Sequence, residues 1–198
     1  MRLLLATTNP GKLREIREIF GGLPIELLTL DQWPDVEAPA ETGETFVENA
    51  RLKAVYYATA TGELTVADDS GLAIDAMEGA PGVHSARFGG ADATYAQRFD
   101  LIRAALRAKG QIDSPARFVC ALALAQGDQI VFETQAAVEG RIAPEARGTG
   151  GFGYDPIFFY PPFGTTLAEA ADRKSAVSHR GQAFRALRDY LVSTRWFG

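Results

Sequence analysis

The sequence predicts a mixed α/β protein, and three observations lead to that class. Arg2 to Ala6 is a short apolar run that breaks at TTNPG and passes into an apolar helical stripe, a strand, turn and helix in immediate succession. Stretches of helical period then alternate with short apolar runs, the order expected of α/β folds. Finally, Arg117 to Ala125 and Gln129 to Val138 flank Gln126, Gly127 and Asp128 and read as an antiparallel hairpin, so the sheet is mixed rather than all parallel.

In chain order, Lys12 to Phe20 places Leu13, Ile16, Ile19 and Phe20 on one helical face, and Ile25 to Leu30 reads as a second strand. Asp31 to Gly43 carries two prolines and four carboxylates without apolar period and reads as a loop. Thr45 with Glu48 three residues on fits a capping box that opens a helix reaching about Thr61. Leu64 to Ala67 reads as a strand that ends in Asp68, Asp69, Ser70 and Gly71, and a strand end with a carboxylate pair is where α/β sheets place their sites. Leu72 to Asp75 is extended, GAPG at 79–82 is a turn, and Thr94 to Lys109 is helical with Phe99, Ile102 and Leu106 inward and Gly110 as its stop. Residues 148–164 (GTGGFGYDPIFFYPPFG) read as a structured loop rich in glycine and aromatic residues. Thr166 to Ala171 is predicted as a short helix and Gln182 to Thr194 as the closing one. Neither repeats nor a flexible linker interrupt the chain, which reads as a single domain over 1–198.

Composition narrows the function. With 198 residues, 46% of them hydrophobic, the chain has enough apolar material for a sizeable core, which excludes disordered and fibrous classes. Its longest apolar run, Phe118 to Ala125, falls short of the roughly 20 residues a spanning helix needs, so no membrane partner is expected. Leu3 to Ala6 is likewise shorter than the apolar core of a signal peptide, roughly 7–15 residues. The single cysteine, Cys120, sits inside the apolar run and reads as core filling in a reducing compartment, so a cytoplasmic location is expected. A net charge of -5 lacks the positive field that selects nucleic acid, so any phosphate must be held by a local cluster.

Four constellations supply chemistry. In TTNPGK, Thr7, Thr8 and Asn9 offer short polar side chains, Pro10 and Gly11 form the turn, and Lys12 stands at a helix start that favours anions. The spacing is not that of GxxxxGK[ST], so a Walker-type site is not supported. Gly148, Gly150 and Gly153 satisfy GxGxxG literally, but Tyr154, Asp155 and Pro156 follow where a dinucleotide fold requires a helix. What that loop offers is a ring, Phe152, with Gly153, Tyr154 and Asp155 beside it. Glu41 and Asp69 suffice for Mg²⁺, which takes one or two protein carboxylates and completes its shell with water and phosphate. Glu44 and Glu48 are better explained by the helix start. Because side chains alternate along a strand, Asp68 and Asp69 point opposite ways, and one is catalytic while the other is structural. Arg173, Lys174, His179 and Arg180 form a basic cluster suited to an anion or a base edge. His84 has no assigned role, and two histidines and one cysteine make zinc chemistry or a nucleophilic triad improbable.

Taken together, TTNPGK (7–12), ETGETFVENARLKA (41–54), ADDSGL (67–72), GAPGVHSARF (79–88), GTGGFGYDPIF (148–158) and KSAVSHRGQA (174–183) resemble the inosine triphosphate pyrophosphatase family, most closely its bacterial dITP/XTP members. The resemblance spans nearly the whole chain. It implies an elongated mixed sheet flanked by helices, two lobes with a central cleft, a homodimer, and Mg²⁺-dependent hydrolysis of ITP, dITP and XTP to the monophosphate and pyrophosphate, which keeps these nucleotides out of DNA and RNA. It makes Thr7 to Lys12 a triphosphate loop, Glu41 and Asp69 metal positions with Asp69 also the catalytic base, and Lys53 and Lys174 phosphate contacts. Ser70 would lie beside the phosphates, Phe152 to Asp155 would enclose the purine, and His179 and Arg180 would present donors to its edge. Two departures are Pro10, at a variable place in the loop, and His84, where an aromatic residue is expected. A metal-dependent hydrolase of another phosphorylated metabolite, or a nucleotide-binding sensor, would use the same groups, and a substrate panel separates the three.

Overall fold

Parallel pairing opens the sheet. In the computed structural model, which describes residues 1–194 and Trp196, β1 (Arg2–Leu5) lies between β2 (Glu26–Thr29) and β3 (Thr65–Ile74) and pairs in parallel with both. The crossovers are α1 (Pro10–Phe20) and α2 (Phe46–Thr61). After α3 (Tyr95–Ala108) come β4 (Pro115–Gln126) and β5 (Gln129–Ile142), joined through Gly127 and Asp128 as the hairpin spacing predicts. The short β6 (Phe158–Tyr160) and β7 (Thr165–Thr166) add antiparallel pairs, and α4 (Ala171–Val177) and α5 (His179–Ser193) complete the chain. The seven-stranded order is β2-β1-β3-β4-β5-β6-β7, a mixed α/β sheet. No helix among the described residues is long and apolar enough to cross a membrane.

The chain divides into two compact units: Met1–Asp69 with Cys120–Ala136 and the segment from Arg180 onward, and Ser70–Val119 with Ala137–His179. In the first unit strand alternation sends residues to opposite faces. Leu3, Leu5, Cys120, Leu122 and Leu124 pack with Ile16 and Phe20 of α1 and with Phe184, Leu187 and Leu191 of α5. Leu4, Ala6, Ala121 and Ala123 pack with Ala50, Ala54, Tyr57 and Ala58 of α2. With both faces covered, Leu3–Leu5 of β1 and Phe118–Ala125 of β4 are apolar at every position rather than at alternate ones. The second unit has one core, in which Phe99, Ile102 and Leu106 of α3 meet Leu72, Ile74, Phe118, Phe158 and Leu167.

Local signals explain most boundaries. The Thr45 hydroxyl accepts from Glu48 N and the Glu48 carboxylate accepts from Thr45 N, closing the capping box, while Gly62 ends α2 at φ 73°. Thr94 and Gln97 form a second box on α3. Several boundaries differ from the sequence expectation, among them the end of β5, which runs on to Ile142, past the expected Val138. α1 starts at Pro10, two residues before Lys12, because Asn9 caps it. β3 does not end at the aspartate pair but runs through it to Ile74, since both carboxylates find cations while buried. The helix expected over 166–171 is reduced to a single turn: Thr166 still pairs with Phe159 in β7, Thr166 and Glu169 exchange capping-box bonds, Ala170 N donates to Thr166 O at 3.3 Å, and regular helix begins only at Ala171. The last helix starts at His179 rather than Gln182, with Arg180 inside its first turn. Trp196 packs at the edge of the first core, and Phe197 lies outside the described residues.

Candidate active site

The first unit gathers the TTNPGK turn and the acidic pair. The Asn9 side-chain oxygen accepts from Gly11 N at 2.9 Å and Lys12 N at 3.3 Å, so two amides of the TTNPGK turn are already used as a cap. The Thr7 hydroxyl accepts from Asn9 N at 3.2 Å, while Thr8, Asn9 and Pro10 are exposed and Gly11 and Lys12 half-buried. Lys12 reaches back to β3, its Nζ donating to Asp68 Oδ2 at 2.8 Å. That oxygen also accepts from Arg180 Nε at 3.4 Å and faces the Cys120 thiol at 3.9 Å. Burial alone would raise the Asp68 carboxyl, but Lys12 and Arg180 outweigh it and hold the group well below the usual carboxylate range. Burial pushes the Cys120 thiol up, consistent with core filling.

Asp69, the next residue, faces a different set. Lys53 Nζ donates to Asp69 Oδ1 at 3.1 Å and to Glu41 Oε1 at 2.7 Å, bridging the two carboxylates named as metal positions. Burial raises the Asp69 carboxyl above its ordinary value; Lys53 opposes the shift and Glu41 reinforces it. Burial would lower Lys53, yet the surrounding carboxylates raise it overall and keep it protonated. Among the described residues no group of three or more His, Cys, Asp or Glu side chains converges to hold a metal. Two carboxylates meeting at one cation position nevertheless match the donor set of Mg²⁺, whose remaining ligands are waters and phosphate oxygens. One participant was missed from sequence: Asn49, fully buried, donates to Asp69 Oδ2 at 3.3 Å. The signal was available, because Asn49 and Lys53 are four apart and so share one face of α2. Glu15, which pairs with Arg180 at 3.2 Å, was missed as well.

The second unit holds the aromatic loop, with Ser70 half-buried at the point where β3 enters it. Asp155, 1% exposed, accepts from Phe152 N at 2.9 Å and from Lys174 Nζ at 2.5 Å, folding the loop onto the carboxylate. The Lys174 ammonium also lies 4.3 Å from the centre of the Phe152 ring. Gly151, at φ 71°, is required here, since a Cβ would sit 2.2 Å from the Asp155 carboxylate. Gly153 lies beside Tyr95, whose ring meets Tyr154 edge-on. Tyr154 itself is buried and donates its hydroxyl to the Ser85 carbonyl at 2.7 Å, so it supports the loop from below. His179 is buried with its ring stacked on Phe118 at 5.0 Å. The Arg180 guanidinium, 2% exposed, pairs with Asp68 and Glu15 within the first unit.

The chain thus combines a mixed α/β fold with a lysine-bridged acidic pair and a lysine at a helix start. The Ham1 family model matches residues 3–190. A dITP/XTP pyrophosphatase of Gloeobacter violaceus is 48% identical over 186 residues, covering 93% of this chain and 91% of that one. Another, of Thermus thermophilus, is 46% identical over 188 residues, covering 94% and 90%. Among solved structures, a HAM1 protein from Coxiella burnetii superposes with a TM-score of 0.91 at 41% identity, covering 98% of this chain and 99% of that one. The chain belongs to the Ham1 family.

Proposed function

We propose that this protein is a house-cleaning pyrophosphatase that hydrolyses non-standard purine nucleoside triphosphates (ITP, dITP and XTP) to the monophosphate and pyrophosphate. The reading is carried by the near full-length likeness to chains named dITP/XTP pyrophosphatase, in which the Glu41, Lys53 and Asp69 cluster finds a use. Phosphoryl-type transfer asks a protein mainly for positioning and charge stabilisation. Lys12 and Lys53 supply positive charge to the triphosphate. Asp69, whose carboxyl burial raises, accepts the proton of a water attacking the α-phosphorus, and pyrophosphate leaves. Mg²⁺, for which Glu41 and Asp69 are the protein ligands, supplies charge neutralisation at the phosphate oxygens when bound. Phe152 offers the purine a ring face, and Asp155 with Lys174 holds that ring in place.

A site whose donors meet a 6-oxo group leaves them unpaired against a 6-amino group, and such mismatches are rejected by roughly 10⁴-fold or more. The purified protein is therefore incubated with Mg²⁺ and, separately, ITP, XTP, ATP and GTP, with pyrophosphate and orthophosphate assayed in each. Pyrophosphate from ITP and XTP with little from ATP or GTP supports the reading; orthophosphate alone, or binding without turnover, overturns it. The same reading includes a homodimer, tested by sedimentation velocity.

A further inference from the structure

The Asn49 carboxamide makes three bonds, and together they tie the Asp69 carboxylate and the Gly43 backbone to one side chain. Its Oδ1 accepts from Gly43 N at 2.8 Å, while Nδ2 donates to Gly43 O at 3.3 Å and to Asp69 Oδ2 at 3.3 Å. Only one orientation of the amide satisfies this set, because Gly43 N is a donor and the other two partners are acceptors. Aspartate lacks the donors, and alanine lacks everything. Gly43 is two residues from Glu41, so the clamp fixes the stem of the segment that carries one carboxylate while gripping the other directly. The approach is close: a Cβ on Gly43 would lie 2.7 Å from Asn49 Oδ1 and 2.7 Å from Glu48 Cβ. Asn49 is fully buried, four residues before Lys53 on α2, and Lys53 Nζ holds the other oxygen of the same Asp69 carboxylate. Asp69 is thus held at both oxygens from one helix face.

We infer that Asn49 is a positioning residue, setting the orientation of the Asp69 carboxylate and its separation from Glu41. The inference rests on the proposed use of those carboxylates in cation binding and catalysis. A fully buried amide with all its groups paired is rigid, and groups that orient metal-binding carboxylates carry about 10–100-fold in affinity or activity when removed. Because the amide reaches no exposed surface, its effect falls on the acidic pair and not on nucleotide contacts.

The test compares Asn49→Ala, Asn49→Asp and Gly43→Ala with the parent protein. Gly43→Ala keeps the amide but displaces it, so it gives a second route to the same defect should Asn49→Ala fail to fold. Each protein is titrated calorimetrically with Mn²⁺ in the absence of nucleotide, its melting temperature is recorded, and kcat and KM are measured with ITP. The expected result is a loss of Mn²⁺ affinity and of kcat by about 10-fold or more, with KM for ITP changed by less than about threefold. Folded variants that bind Mn²⁺ within about twofold of the parent overturn the inference, as does a fall confined to melting temperature. Parent protein that binds Mn²⁺ but does not turn over ITP would instead overturn the pyrophosphatase reading, leaving the Mn²⁺ comparison to decide the role of Asn49.

Discussion

Asp68 and Asp69 are consecutive residues of β3 whose carboxylates serve different cations: Asp68 Oδ2 accepts from Lys12 at 2.8 Å and Asp69 Oδ1 from Lys53 at 3.1 Å. Strand alternation produces the split. Asp68, with Arg180 also on it, is a buried counter-charge; Asp69 is a carboxylate whose charged form burial disfavours. Neutralising them therefore has opposite consequences. Asp68→Asn is expected to lose about 3–5 kcal/mol of stability, the scale for breaking a buried pair. Asp69→Asn is expected to stay within about 1 kcal/mol of the parent and to lose pyrophosphate release by about 10²–10⁴-fold. Urea unfolding beside the pyrophosphate assay checks both, and equal stability losses would contradict the division of roles.

In the second unit Lys174 and Asp155 are an ion pair with both members buried, and the pair shapes the Phe152 loop. Lys174→Met leaves a buried carboxylate without its ammonium and should cost about 3–5 kcal/mol. Adding Asp155→Asn to the same chain should recover part of that loss, because the uncompensated charge disappears. A double-mutant cycle by urea unfolding measures the coupling, expected at about 0.5–3 kcal/mol. Strictly additive losses would show that the two side chains do not stabilise each other.

How much of this was legible in the sequence depends on the range of the interaction concerned. The capping box of Thr45 and Glu48 lies within four residues and was readable outright, as was the opposition of Asp68 and Asp69, which needs only the pleat of a strand. The helix expected at 166–171 starts late because Thr166 is still paired with Phe159 in β7, a tertiary fact that local propensity does not contain. Asn49 shares a face of α2 with Lys53 and so carried a local signal, but its bonds to Gly43 and Asp69 form only in the folded chain. Arg180 was read from its neighbours in sequence as part of a basic cluster. Its partners, Asp68 and Glu15, are 112 and 165 residues away along the chain.

Tyr154 makes the second unit alkali-sensitive. Burial lifts its phenol to about 12, Arg98 lowering it and Tyr95 raising it further, while the hydroxyl donates to the Ser85 carbonyl. An unfolded chain releases the tyrosine proton near its ordinary value of about 10. The folded form therefore holds the proton more tightly. The stability this confers is complete below about pH 10 and is lost as pH rises toward 12. Tyr154→Phe should lower stability by about 1 kcal/mol at pH 8, from the lost hydrogen bond. It should also flatten the decline above pH 10, bringing the two denaturation midpoints together. Midpoints that stay a constant distance apart from pH 8 to pH 11.5 would assign the alkaline loss to other groups.

Lys53 occupies the position where the Glu41 and Asp69 carboxylates converge, at 2.7 and 3.1 Å, so on the proposed reading of these carboxylates as metal ligands its ammonium and a divalent cation would compete for the same oxygens. Lys53→Met removes one competitor and leaves two carboxylates facing each other, a like-charge contact that lowers stability without metal. The same change raises the affinity for a divalent cation, and a ligand that binds only the folded state stabilises it by RT ln(1 + [L]/Kd). Thermal unfolding should therefore show Lys53→Met melting below the parent in chelator, with a larger upward shift than the parent as Mn²⁺ or Mg²⁺ is added. Turnover of ITP should fall despite the tighter metal, because the lysine's charge is no longer there for the triphosphate. Weaker metal binding in Lys53→Met than in the parent would mean that the ammonium organises the carboxylates for the cation instead of competing with it.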